Sequence, residues 1–302
     1  MKAARGRIRR ILVATDFSET ADSGLEWALE MARVHGAELL LVHGLMLPNQ
    51  ATDFLPSPPD YSEEIRAAAR GRLERAADSA RERGVVVSAE LRLGIPSETV
   101  LEAAEESQAD LVVIGTRGLT GIQHLLLGST AERVVQRSVC PVLTVHPGDV
   151  DRHRPVRKIV LPTDFSAASD HAVETTLELL RPRLDDAELV LLHVYHLPFE
   201  YTAYGTVPTA LDYFKDVEGS AQERLEELAE PLRGRGLTVH TSAREGYPPE
   251  VIVEAAEELE ADLLALGTHG RSGLAHLLLG STAERVVQRA PCPVLTVRRP
   301  RD

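Results

Sequence analysis

Asp110-Leu111-Val112-Val113-Ile114-Gly115-Thr116-Arg117-Gly118 opens the stretch on which the reading of this chain turns. Nine residues further on comes Gly128-Ser129-Thr130-Ala131-Glu132, and Pro141-Val142-Leu143-Thr144-Val145 closes it. The arrangement returns between Asp262 and Val297. There Gly267-Thr268-His269-Gly270 is followed by nine residues and then Gly280-Ser281-Thr282-Ala283-Glu284. The segment His124–Arg137 is repeated letter for letter as His276–Arg289. A buried strand, a glycine-rich turn and a helix start are the parts of a phosphate cradle.

The chemistry explains the residue types. A phosphate is held by several backbone N–H groups, and the backbone comes that close only where side chains are absent. Gly115 and Gly118, with Gly267 and Gly270 in the second copy, would shape the loop after the strand. Gly128-Ser129 and Gly280-Ser281 would open helices whose unpaired N–H groups and positive dipole end favour an anion. The dipole alone contributes about 0.3–2 kcal/mol, so the hydroxyls of Ser129, Thr130, Ser281 and Thr282 would have to add to it. The same letters carry a second reading. Ser129-x-x-Glu132 and Ser281-x-x-Glu284 are also capping boxes, and the glycines could be ordinary turn residues.

The stretch sits in a chain of 302 residues, for which two domains of about 150 are the default. The net charge is −13, and both halves share the excess: 16 basic and 21 acidic residues up to Val150, 17 and 25 after it. This balance argues against nucleic acid or an anionic membrane as the main partner. The apolar run after the basic N-terminus is broken at Thr15-Asp16, and no segment reaches the length of a membrane span. A soluble, cytoplasmic protein is expected. Cys140 and Cys292 precede Pro141 and Pro293 at equivalent repeat positions, which suits buried thiols in a reducing compartment rather than a disulfide framework.

Read in order, Ile8–Ala14 is a buried strand and Thr20–His35 an amphipathic helix stopped by Gly36. Glu38–His43 is a second buried strand. Leu47–Tyr61 is proline-rich and irregular, as a lid or binding loop would be. Ser62–Gly84 reads as a charged helix with Ile65, Ala69, Leu73, Ala76 and Ala80 on its inner face. Val85–Leu91 is a third strand, and Gly94-Ile95-Pro96 turns into a helix over Ser97–Ser107. The glycine stretch, a helix to Arg137 and the strand Pro141–Val145 complete the unit. His146–Pro155 reads as the linker. The second half repeats the pattern, with strands at Lys158–Leu161, Glu188–Val194, Thr238–Ala243 and Asp262–Leu266 and an aromatic irregular loop over Leu197–Tyr213. Buried strands alternating with amphipathic helices predict an α/β fold with a mostly parallel sheet covered on both faces, once in 1–147 and again in 156–298.

Gly-x-x-Gly-x9-Gly-Ser resembles the ATP-binding motif of the universal stress protein family. Ala14-Thr15-Asp16-Phe17-Ser18 and Pro162-Thr163-Asp164-Phe165-Ser166 resemble that family's first-strand signature, and Leu192-His193-Val194 its second-strand ending. Each half is similar to the family along nearly its whole length, so the chain is identified as a tandem member. The resemblance implies two Rossmann-like domains of the adenine nucleotide alpha hydrolase type, each with a five-stranded sheet. It implies ATP, ADP or AMP as ligand, with or without Mg, and a regulatory role in the stress response. It places Asp16 and Asp164 in the nucleotide pocket and Val194 on its adenine side, and it makes the last strand the dimerising element. Pairing of Pro141–Val145 with Pro293–Val297 would give an intrachain pseudo-dimer, and two chains could associate further as a homodimer.

Several residues carry alternatives. Asp16 and Asp164 could instead cap the following helix. Gly44 stands where the second half has Val194, which departs from the family pattern. Arg117 and His269 share one loop slot. The arginine is permanently charged and suits a phosphate, the histidine is cationic only below about pH 6.5, and either could be a solvated loop residue. His193 and His196 have neither metal-ligand spacing nor nearby cysteines and His124 and His276 have no evident partners, so no metal site is expected, and all four read as structural or surface residues. No Gly-x4-Gly-Lys-[Ser/Thr] loop occurs and no catalytic triad can be assembled, so no catalytic residue is assigned. A nucleotide-binding regulatory module is therefore the leading reading, with a slow ATPase or a nucleotide-free scaffold as alternatives. Both halves should bind, the second more tightly, through Val194 and an aromatic loop carrying Phe199, Tyr201 and Tyr204 against Gly44, Phe54 and Tyr61.

Overall fold

A computed structural model describes residues 8–47, 62–116, 127–146, 149, 156–196, 201–202, 205–206, 211–268 and 279–298. By contacts the chain divides into two compact units, Met1–Asp151 and Arg152–Asp302.

The first unit is a parallel sheet built on β1 (Arg10–Ala14), β2 (Glu38–Leu45), β3 (Val87–Leu93), β4 (Leu111–Gly115) and β5 (Val142–Val145), in the order β3-β2-β1-β4-β5. The register aligns Ile11 with Leu39 on one side and with Leu111 on the other. Ile11, Leu12 and Val13 are wholly buried in the central strand. Burial of each such side chain contributes about 1.5–3 kcal/mol, which is why an unbroken apolar run settles at the middle of a doubly covered sheet. Helices α1 (Glu19–His35) and α2 (Ser62–Glu82) follow the first two strands. Helices α3 (Pro96–Glu106) and α4 (Ser129–Arg137) pack on each other. Right-handed crossovers put the second pair opposite the first, because the strand order reverses direction after β3. The reversal leaves a crevice beyond the carboxyl ends of β1 and β4.

The second unit repeats this with β6 (Lys158–Pro162), α5 (Ala167–Leu180), β7 (Glu188–Tyr195), two short strands β8 (Tyr201–Thr202) and β9 (Gly205–Thr206), and α6 (Leu211–Arg233). Then come β10 (Thr238–Glu245), α7 (Pro248–Glu258), β11 (Leu263–Gly267), α8 (Ser281–Arg289) and β12 (Val294–Val297), in the sheet order β10-β7-β6-β11-β12. Both units are Rossmann-like.

Three local expectations are corrected. On α2 the inner face is Ala69, Leu73, Ala77 and Ala80. Ile65 is 37% exposed and Ala76 only half-buried, because the stripe advances by four residues from Leu73 to Ala77 rather than by three. The irregular segment expected over 197–213 contains the β8–β9 antiparallel pair, and α6 already begins at Leu211. Strands β2, β3 and β10 each run two residues past their expected ends. Backbone pairing continues to Leu45↔Leu93 and Glu245↔Tyr195, past Gly44, Arg92 and Arg244, which interrupt the apolar runs in the sequence.

One polar staple recurs in both units. The Asp110 carboxylate accepts from the backbone N–H of Arg9 at 2.7 Å and of Arg10 at 3.1 Å, tying β4's entry to that of β1. Asp262 does the same for Arg157 and Lys158, both at 2.9 Å. Asp110→Ala leaves two N–H donors without this acceptor, and is expected to cost about 1–3 kcal/mol of first-unit stability. Urea unfolding measures it; an unchanged midpoint would show that water replaces the carboxylate without loss.

Candidate functional site

At the end of β1 the chain turns within three residues. The Thr15 hydroxyl accepts from the Phe17 N–H at 3.0 Å and the Asp16 carboxylate from the Ser18 N–H at 3.1 Å. Phe17 is held in the left-handed region at φ 65°. In the second unit Thr163, Asp164, Phe165 (φ 58°) and Ser166 repeat the turn with the same distances. The Asp residues are not helix caps, contrary to that alternative. Ser18 caps α1 by accepting from the Ala21 N–H, and Ser166 caps α5 through a capping box with Ser169. The carboxylates are thereby left at the mouth of the crevice.

His43 and His193 brace these turns. Each Nδ1 lies 2.7 Å from the carbonyl of Thr15 or Thr163. A carbonyl can only accept, so the tautomer carries its proton on Nδ1. The sequence reading of His193 as a structural or surface residue agrees with this. The aspartates have acidic neighbours on the next helix. Burial first, with Asp16 adding to it and Arg72 opposing it, holds the Asp22 carboxyl above its usual range. Asp170 is raised likewise by burial and then by Asp164, with Arg224 opposing.

The glycine stretch lies across the crevice. Gly128 is the cap residue of α4 (φ −61°, ψ 139°) and Gly280 that of α8 (φ −60°, ψ 140°), and neither cap provides a side-chain hydrogen bond. The capping boxes written as Ser129-x-x-Glu132 and Ser281-x-x-Glu284 do not form, because the serines sit one position inside the helix. The first-turn N–H groups of both helices therefore lack the side-chain acceptor that a box would give them. Gly128 N–H donates to the Thr116 carbonyl at 2.9 Å, and Gly280 N–H to that of Thr268 at 2.9 Å, which fixes each helix start against the preceding strand. Gly115 is explained by packing: a Cβ there would stand 3.0 Å from Thr20 Cγ2.

These parts line one cleft per unit. In the first, of about 310 Å3, Thr15, Asp16, Val42, Gly44, Pro96, Val100, Gly115, Thr116, Gly128, Ser129 and Thr130 meet. In the second, of about 230 Å3, the set is Thr163, Asp164, Leu192, Val194, Pro248, Ile252, Gly267, Thr268, Gly280, Ser281 and Thr282. Each cleft has a polar end at the helix N-terminus and an apolar wall where β2 meets the start of α3, or β7 the start of α7. Gly44 is no simple gap in that wall. A Cβ there would fall 2.5 Å from Thr99 Oγ1 and 2.7 Å from Pro96 Cα, so α3 itself closes on the strand. Arg117, Gly118, His269 and Gly270 lie outside the described residues, as do His124, His276, Phe54, Tyr61, Phe199 and Tyr204. Tyr201 is described as part of β8 only.

Among the described residues no group of three His, Cys, Asp or Glu is placed to hold a metal, and no helix is long and apolar enough to cross a membrane. Burial pushes the Cys140 thiol up to about 11, which keeps it protonated and unreactive at neutral pH.

The model of the universal stress protein family matches residues 7–146 and again 155–298. The chain belongs to the universal stress protein family. A universal stress protein of Mycolicibacterium smegmatis is 30% identical over 298 residues, covering 95% of this chain and 96% of its own. The universal stress protein MJ0531 of Methanocaldococcus jannaschii is 37% identical over 147 residues, 48% of this chain and 84% of its own. A crystal structure of a universal stress protein from Archaeoglobus fulgidus superposes with a TM-score of 0.70 over 96% of this chain and 98% of its own, at 24% identity, and shares the fold. In this universal stress protein the residues passed over in the sequence are Thr15, Thr163, Thr116, Thr268, Pro96, Pro248, Val100 and Ile252. Their one sequence signal is position: the threonines directly flank a motif residue, Pro96 and Pro248 open the helix after β3 or β10, and Val100 and Ile252 lie one turn further along it.

Proposed function

We propose that each half binds one adenine nucleotide and that occupancy regulates the protein's affinity for a partner in the stress response. The observation that carries this is the uncapped helix start, Gly128-Ser129-Thr130 or Gly280-Ser281-Thr282, facing the strand-end aspartate across a single cleft. The first-turn N–H groups suit phosphate oxygens. The apolar wall of Val42, Pro96 and Val100, or Leu192, Val194, Pro248 and Ile252, suits the face of a purine. Asp16 or Asp164 then accepts from ribose hydroxyls or from a base N–H. ATP, ADP and AMP share all of these groups. Mg would be held mainly by phosphate oxygens and water, since no three-ligand protein group is available among the described residues. Pairing of Pro141–Val145 with Pro293–Val297 into a pseudo-dimer belongs to the same reading, and rests on the two apolar last strands.

The sites are expected to be unequal. Val194 covers more of a purine face than Gly44, a difference of at most about 1 kcal/mol because Pro96 fills part of the first wall. Calorimetric titration of nucleotide-stripped protein with ATP should give two sites. Asp164→Ala should remove the tighter one and Asp16→Ala the weaker. Absence of binding to the wild type would refute the nucleotide reading, and loss of the tighter site in Asp16→Ala would reverse the order.

A further inference from the structure

A second repeated feature lies behind each aspartate and comes from a distant helix. The Phe17 ring packs 4.5 Å from the His43 ring, and the Arg72 guanidinium of α2 stands 4.5 Å from the Phe17 centroid. Arg72 Nη2 also donates to the Phe17 carbonyl at 3.5 Å. In the second unit Phe165 packs 4.3 Å from His193, with Arg224 of α6 4.4 Å from its centroid. Both phenylalanines occupy the left-handed region, at φ 65° and 58°. For a bulky residue without glycine's freedom that conformation costs about 1–3 kcal/mol and persists only where surroundings hold it. The histidine is fixed to the carbonyl two residues earlier, so it holds the ring from the strand side. The arginine holds it from the helix side.

We infer that Arg72 and Arg224 are positioning residues for the nucleotide sites: each pins the left-handed phenylalanine that aims Asp16 or Asp164 into its cleft, and so ties α2 and α6 to nucleotide affinity. The inference rests on the nucleotide reading of the clefts and adds its control point. Release of the phenylalanine lets the turn relax, and the aspartate leaves its place because its own carboxylate is bonded across that phenylalanine, to Ser18 or Ser166. The arginine also offsets the crowding of Asp16 with Asp22 and of Asp164 with Asp170, which would otherwise oppose an anionic ligand. A partner that shifts α2 or α6 along its axis would withdraw the cation from the ring and loosen the site, although it touches no nucleotide.

The test uses the full chain, stripped of nucleotide and titrated with ATP. Arg72→Met is expected to weaken one of the two sites about fivefold and leave the other unchanged, and Arg224→Met to do the reverse. Arg72→Lys keeps a cation over the ring and should recover most of the loss. Arg81→Met is the control, because Arg81 also ties α2 to the sheet through the Val87 carbonyl at 3.1 Å but lies far from Phe17 in the helix. It should leave both affinities unchanged. Equal weakening by Arg81→Met, or no weakening by Arg72→Met and Arg224→Met, would overturn the inference. A ligand-free readout separates its failure from that of the nucleotide reading. The His43 ring protons should carry a ring-current shift from Phe17 that moves in Arg72→Met and not in Arg81→Met. An unmoved shift counts against the lever whether or not ATP binds, and absent ATP binding with a moved shift counts against the nucleotide reading and leaves a lever acting on some other ligand of the cleft.

Discussion

Gly44→Val is expected to damage the first site rather than convert it into a copy of the second. Valine is what the second half carries at the corresponding place, so the substitution looks conservative in the sequence. The first half has used the vacated space. Pro96 and Thr99 of α3 stand where the new Cβ would go, at 2.7 and 2.5 Å, and Pro96 meets it with a backbone atom that no rotamer change can move. The start of α3 must shift, and the cost is about 3 kcal/mol, at the upper end of overpacking effects. Thr99 loses its place too, with the bond from its hydroxyl to the Pro96 carbonyl at 2.9 Å. Urea unfolding should show an early transition for the first unit with the second unchanged, and ATP stoichiometry should fall towards one. Normal stability with a tightened first site would mean that α3 yields readily.

Gly128→Val and Gly280→Val are each expected to abolish binding at their own site, with affinity down more than about tenfold. The cap backbone at φ −61° is open to any residue, so glycine is not there for its conformational freedom. It is there because a Cβ would lie 3.2 Å from the carbonyl of Thr116 or Thr268, the same carbonyl that its N–H bonds. A methyl can be absorbed by a shift of a few tenths of an ångström; a branched side chain drives the helix start away from the strand. Valine is also among the poorest cap residues, at about 1 kcal/mol. Gly128→Ala should therefore weaken binding far less than Gly128→Val. Full affinity in a folded valine variant would show that the nucleotide does not engage the helix N-terminus.

The parallel fold was legible because each buried strand is an unbroken apolar run and each helix a stripe, and because everything is written twice. The clefts were legible because their residues belong to local motifs: strand end, glycine turn, helix start. What escaped depends on contacts between segments far apart in the chain. Arg72 lies 55 residues from Phe17 and looks like one more charge on a solvated helix face. Nothing local marks Phe17 as left-handed, since the sequence there suggests only a strand ending in a polar turn. Gly44 read as a missing contact, and only the approach of α3 reveals it as a required clearance. The capping boxes failed for a local reason: the glycine before each serine takes the cap position, and the pattern is then one residue out of step.

α4 and α8 share all nine residues, and their cap dihedrals agree within a degree. A bare oxyanion would therefore meet the same helix-end chemistry in either half. Among the described residues the opposite wall differs between the halves, with Gly44 and Val100 on one side and Val194 and Ile252 on the other. On the nucleotide reading, one cleft would separate two tasks: a common grip at the helix end, and a discriminating wall that can drift in one half without disturbing that grip in the other.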